Sequence, residues 1–355
     1  MKRVISAFAL ILTAACGKDR APVAEAPALP PGPPPYAQPA LGVYVTNEQS
    51  GDLSVIDADK GEVVATIKLG KRPRGVVASP DGTKLYVALS GSPAAGPGVD
   101  EKTLPPPDRS ADGIGVVDLK EGKLVTVIKS GTDPEQVAIS HDGKTVFVAN
   151  EDAGQLTFID AATNMIAGTV KVGDEPEGVT VMPDDSRVYV TSEDAGAVFV
   201  VDIEKKTLVK PVTVGPRPRS ISFLPDGSRA YVPSETGGTM TVIDTKKMAA
   251  IKTIKLGDGI RPMGQAMAKD GKRLYVSTGR SKMVYIVDTE KNVVAGMVET
   301  GQRPWGIGLS PDGTKLFTAN GPSGDVSIVD LAATQVTKKI PVGRGPWGLA
   351  VVPRP

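Results

Sequence analysis

The chain has 355 residues, with 41 Lys and Arg against 40 Asp and Glu, one His and one Cys. A formal charge of +1 offers no basic surface to nucleic acid or to anionic lipid, and a lone cysteine excludes an internal disulfide framework. The 40 glycines and 31 prolines point instead to many short segments separated by turns.

At the N-terminus, Lys2 and Arg3 precede an uncharged, mostly apolar run over residues 4–15. A basic start, an apolar stretch too short to span a bilayer, and small residues before a cut site predict an export signal over 1–15. Cys16 follows Ala14-Ala15, and this junction resembles the bacterial lipoprotein box. The resemblance implies that Cys16 is acylated as the first mature residue, and Gly17 after it implies the outer membrane. Residues 16–40 then form a tether: Pro30-Pro31-Gly32-Pro33-Pro34-Pro35 favours extended polyproline at about 3 Å per residue. Without Lys2 and Arg3 the 41 basic residues fall to 39 against 40 acidic ones, a balance of −1. Membrane contact is therefore expected through the lipid anchor only.

From residue 41 onward the chain repeats. Gly70, Gly131, Gly173, Gly215, Gly257, Gly301 and Gly343 are separated by 61, 42, 42, 42, 44 and 42 residues. Each opens the same phrase: Gly, two or three residues, Pro, a β-rich run, a tight turn, and another β-rich run. Strand triplets recur as Leu85-Tyr86-Val87, Val146-Phe147-Val148, Val188-Tyr189-Val190, Ala230-Tyr231-Val232, Leu274-Tyr275-Val276 and Leu316-Phe317-Thr318, with Tyr44-Val45-Thr46-Asn47 in the first unit. On these residues the segment 41–353 resembles the YVTN-family β-propeller repeats. A strand-type unit of this period predicts an all-β fold, a seven-bladed β-propeller over residues 41–355 with four-stranded antiparallel blades. The piece Trp347-Gly348-Leu349-Ala350-Val351-Val352 matches an inner strand and then stops, whereas the N-terminal piece starts at a second strand. N- and C-terminal strands are thus expected to share one blade and close the ring of a monomer.

The turns carry Asp-Gly, usually after Pro, as in Pro80-Asp81-Gly82 and Pro311-Asp312-Gly313; Asp185 replaces the glycine in Pro183-Asp184-Asp185. A third strand in each unit ends on aspartate: Asp57, Asp118, Asp160, Asp202, Asp244, Asp288 and Asp330. Recurrence in every unit assigns these carboxylates to turn capping, because a site requires asymmetry.

Asymmetry lies in two places. The long gap holds an insertion at about 91–112, rich in Pro and Gly, between the second and third strands of its blade. It emerges on the same rim as the Gly-x-x-Pro phrases, as a lid or a tolerated excursion. The residues flanking each proline vary around the channel mouth: Arg72 and Arg74, Asp133 and Glu135, Glu175 and Glu177, Arg217 and Arg219, Arg261 and Met263, Arg303 and Trp305, then Arg344 and Trp347. Arginines beside the chain's two tryptophans suit a small anionic or planar ligand, or an envelope protein, through bidentate contacts and stacking. The alternative for the charges is pairing between neighbouring blades, as Arg74 with Glu135 or Glu177 with Arg219.

No Cys-x-x-Cys-His, Ser/His/Asp, metal-binding or phosphate-loop pattern is present, and His141 stands in a turn on the opposite face. Propellers similar to this one, the haem domain of nitrite reductase and the streptogramin lyases, rely on histidines that the rim lacks. No cofactor and no metal is expected. The leading expectation is a non-catalytic, lipid-anchored envelope module binding through Arg72, Arg74, Arg217, Arg261, Arg303, Trp305, Arg344 and Trp347. One alternative is a lactonase-type hydrolase using Asp133, Glu135, Glu175 and Glu177; another is a periplasmic accessory protein carrying a planar redox cofactor.

Overall fold

The computed structural model describes residues 36–94 and 103–355. The export signal, Cys16, most of the tether and the middle of the insertion (95–102) lie outside the described residues. Seven four-stranded antiparallel sheets form a β-propeller. Blade 1 comprises Pro73–Ala78, Lys84–Leu89, Gly113–Asp118 and Lys123–Ile128 from the channel outward. Blades 2 to 6 follow over 134–171, 176–213, 222–255, 262–299 and 304–341. In blade 7 the C-terminal Pro346–Pro353 is innermost and pairs with Leu41–Asn47, followed by Asp52–Asp57 and Glu62–Lys68.

The strand positions follow from burial. Second strands such as Lys84–Leu89 are buried almost throughout because both faces pack against neighbouring blades, which β-branched and aromatic residues fill well. Outer strands such as Glu62–Lys68 are mostly exposed. The core lies between blades: Tyr44 and Leu53 of blade 7 meet Leu85 and Val87 of blade 1, and Val43 and Val45 meet Phe317 and Ala319 of blade 6.

The recurring aspartates are scaffold. Asp57 accepts hydrogen bonds from the N–H groups of Asp59 and Lys60, and Asp118 from those of Lys120 and Glu121. Asp185 adopts the left-handed φ of +56° that glycine takes in the equivalent turns. Its carboxylate also accepts from the backbone N–H of His141 and of Asp142 in blade 2, and lies 2.7 Å from His141 Nδ1.

Candidate functional site

The rim is built from one repeated backbone device. The residue before each proline has a left-handed φ: +37° at Arg72, +49° at Asp133, +48° at Glu175, +52° at Arg217, +49° at Arg303 and +66° at Gly345. Arg261 is the exception, its longer loop placing the positive φ at Gly259. Such a conformation is uncommon for non-glycine residues and needs a fixed partner. The partner is constant: the carbonyl accepts the N–H of the residue just past the second strand. The bonds run from Ser90 to Arg72, Glu151 to Asp133, Glu193 to Glu175, Glu235 to Arg217, Gly279 to Arg261, Gly321 to Arg303 and Glu48 to Gly345. Each blade thus places two residues at the mouth, one before the proline and one past the second strand, with glycine at Gly279, Gly321 and Gly345.

Across blade boundaries these positions meet. Glu48 of blade 7 lies 2.8 Å from Arg72, Glu193 of blade 3 lies 2.6 Å from Arg217, and Glu235 of blade 4 lies 2.9 Å from Arg261. Ser90 of blade 1 likewise donates its hydroxyl to Asp133. Glu48, Glu151, Glu193 and Glu235 were missed by reading only the residues beside the prolines. Their signal was available in Asn47-Glu48, Asn150-Glu151, Ser192-Glu193 and Ser234-Glu235, against Ser90, Gly279 and Gly321 in the other units.

One half of the mouth is an ion-pair cluster. Arg74, almost fully buried, meets Glu135 directly, Asp133 at 3.0 Å and Glu151 at 3.4 Å. Arg219 meets Glu177, Glu193 and, at 2.6 Å, Glu235. The interblade pairing is therefore realised, and Arg72, Arg74, Arg217 and Arg261 all spend charge on carboxylates of the chain itself. Glu175 is half-buried and also engaged. Carboxylates outnumber arginines in this cluster, and proton affinities reflect it. Burial pushes Glu193 up to about 7, with Arg217 opposing and Glu235 reinforcing the shift. Burial likewise raises Glu151. Asp133, although buried, is held below the usual carboxylate range by Arg74 and Ser90. A buried cluster of this kind stabilises little in net terms but fixes which side chains face one another.

The other half, over blades 5 to 7, is aromatic. Trp305 and Trp347 pack edge to face, ring centroids 5.3 Å apart and planes at 81°. The Arg303 guanidinium covers Trp305 at 5.1 Å from the ring centroid. Trp347 is buried and Trp305 half-buried, and neither indole N–H has a hydrogen-bond partner. Both rings line a channel cavity of about 200 Å³, with Met263, Ile307 and Leu349 as further apolar wall and Gln265 and Arg219 as polar wall. Arg344 is exposed, set one residue further from its proline by Gly345. The described ends of the insertion join this rim on the far side: Asp112 accepts from the N–H of Gly91 and Asp133, Arg72 donates to the Ser92 carbonyl, and Arg109 pairs with Asp152.

Two family models match parts of the chain, the Choice-of-anchor I domain over residues 40–210 and the Lactonase, 7-bladed beta-propeller family over 179–340. No curated protein matches the sequence. Among solved structures, Kuenenia stuttgartiensis hydrazine synthase is 22% identical over 81% of this chain and 92% of its own, with a TM-score of 0.71. A 6-phosphogluconolactonase homologue from Bacteroides uniformis is 19% identical over 88% and 99%, with a TM-score of 0.71. The dihydro-heme d1 dehydrogenase NirN is 18% identical over 91% and 77%, with a TM-score of 0.62. At these identities the likeness is one of fold, and function rests on the site.

Proposed function

We propose that this protein is a non-catalytic binding module of YVTN-repeat type, exported and held to the outer membrane through Cys16, that captures a small ligand at the aromatic half of the channel mouth. The observation that carries this reading is the Trp305–Trp347 pair: two large rings at the edge of a cavity of about 200 Å³, with unpartnered N–H groups. Placing indoles there without hydrogen-bond partners costs stability, and a ligand that contacts them repays part of that cost. The cavity is smaller than the several hundred Å³ typical of sites for drug-sized ligands, which favours a compact molecule over an extended planar cofactor.

Native mass spectrometry of protein purified from its own membrane fraction tests the reading. Wild type should carry a small-molecule adduct that the Trp305→Ala/Trp347→Ala variant lacks, and Cys16→Ser should move the protein to the soluble fraction. Identical spectra for wild type and double variant would remove the site.

One observation supports a second reading, a lactone hydrolase. Glu193 is a buried carboxylate pushed to about 7, suited to general-base work near neutral pH, and it falls within the stretch matched by the lactonase family. It is not one of the four carboxylates expected from sequence, Asp133, Glu135, Glu175 and Glu177; like Asp133, Glu135 and Glu177 it pairs with arginine, but its proton affinity is raised where that of Asp133 is lowered.

A further inference from the structure

A rule of contact runs around the rim, and one arginine breaks it. In four blades the residue past the second strand reaches the pre-proline residue of the next: Glu48 to Arg72, Ser90 to Asp133, Glu193 to Arg217 and Glu235 to Arg261. Arg303 is the next arginine in this series. The residue that should meet it is Gly279, and its own blade carries Gly321 at the corresponding place. Among the described residues no carboxylate lies within ion-pair distance of Arg303, although the residue is only half-exposed. Burial, with Arg219 and Arg261 nearby, lowers its proton affinity against the opposing pull of Glu235 and Glu48, neither of which pairs with it.

We infer that the missing glutamate is supplied by the ligand: the mouth over blades 5 to 7 binds a small carboxylate with a flat apolar body, its carboxylate on Arg303 and its body against Trp305. This rests on the binding reading above and adds the chemical class. Three features agree with it. Arg303 is the rim arginine beside the tryptophans that makes no ion pair, and a guanidinium fork selects an anion, while the unpartnered acceptor in the neighbouring cavity is Gln265 Oε1. The guanidinium already lies over the Trp305 ring, so the fork is held near where a carboxylate would arrive. Trp305, on which Arg303 lies, also lines the channel cavity with Trp347, Met263, Ile307 and Leu349, an apolar surface for the body of the ligand beside the polar Arg219, Glu177 and Gln265.

Because Trp305 and Trp347 are the chain's two tryptophans, tryptophan emission excited clear of the tyrosines reports on this site. The experiment titrates the full-length protein with benzoate, with benzamide as its uncharged counterpart and with inorganic phosphate. Benzoate should give a saturable change and bind about tenfold or more tightly than benzamide, with phosphate inert, as expected for one charge-assisted contact. Arg303→Met should remove the preference for benzoate. The more telling variant is Gly279→Glu, which places there the glutamate that four other blades carry. Gly279 is outside the left-handed region, and a Cβ there meets the flexible Met263 side chain, 3.1 Å from Cγ, and the Arg261 carbonyl at an ordinary contact distance of 3.6 Å. Gly279→Glu should weaken benzoate about tenfold or more, while Gly279→Gln, of the same size, should leave it close to wild type. Equal binding of benzoate and benzamide would overturn the carboxylate assignment and leave the aromatic site standing. Equal loss in the Glu and Gln variants would overturn it as a steric effect. No saturable response to either compound would overturn both readings.

Discussion

Glu193 concentrates the electrostatics of the mouth in one residue. Its side chain is only 3% exposed, between Arg217 at 2.6 Å and Arg219, yet burial raises its pKa from 4.5 to about 7. A carboxylate whose folded-state pKa is raised contributes stability below its unfolded pKa and loses that contribution as pH climbs to the folded value. The window is therefore from about 4.5 to about 7, with stability falling as pH rises. Chemical denaturation across this range should show Glu193→Gln gaining on wild type by on the order of 3 kcal/mol between the acid and alkaline ends. A pH-independent difference would mean that Glu193 is already ionised throughout. The same variant separates the two functional readings: it should leave benzoate binding unchanged, and loss of a measured δ-lactone hydrolysis would select the hydrolase instead.

At the level of elements, the inner strands decide how tightly the ring closes on the channel. A Cβ added at Gly306 would lie 2.4 Å from the Trp347 carbonyl of the next blade, and one at Gly178 would lie 2.4 Å from the Arg219 carbonyl. These strands approach backbone to backbone, and only glycine allows it. Gly306→Ala must push blades 6 and 7 apart, at a cost of about 1–3 kcal/mol. The expected result is a lower melting temperature together with an altered tryptophan emission, because Trp305 and Trp347 sit on the two strands being separated. An unchanged emission would show that the indole pair does not depend on this contact. Gly306 and Gly178 could be seen in the sequence as the repeated Pro-x-Gly, but that spacing says nothing about what each glycine faces. The facing atom comes from another blade some forty residues away.

Over the whole molecule, stability rests on a ring whose last joint is non-covalent. Pro346–Pro353 pairs with Leu41–Asn47, so the two ends of the propeller are held by one ladder of hydrogen bonds. Deleting residues 345–355 removes that strand, exposes the edge of Leu41–Asn47 and strips Val352 and Leu349 from the packing against neighbouring blades. Size-exclusion chromatography and thermal melting of the trimmed chain should show a shifted elution and loss of the cooperative melt; a melt like that of the full chain would contradict closure through blade 7. The ring, its seven blades and this seam were legible from period and strand pattern, since each unit carries its own turns and its own buried run. So was the uneven rim, and even the pairing of Arg74 with Glu135 and of Glu177 with Arg219. Four glutamates were not weighed, and neither was the split between neutralised arginines and Arg303. By itself the sequence determined the local conformations and their repetition, because Asp-Gly turns, alternating strands and the Gly-x-x-Pro phrase act within a few residues. Only the tertiary structure decided which rim charges cancel, since each pair joins side chains from different blades and depends on how those blades are rotated about the channel.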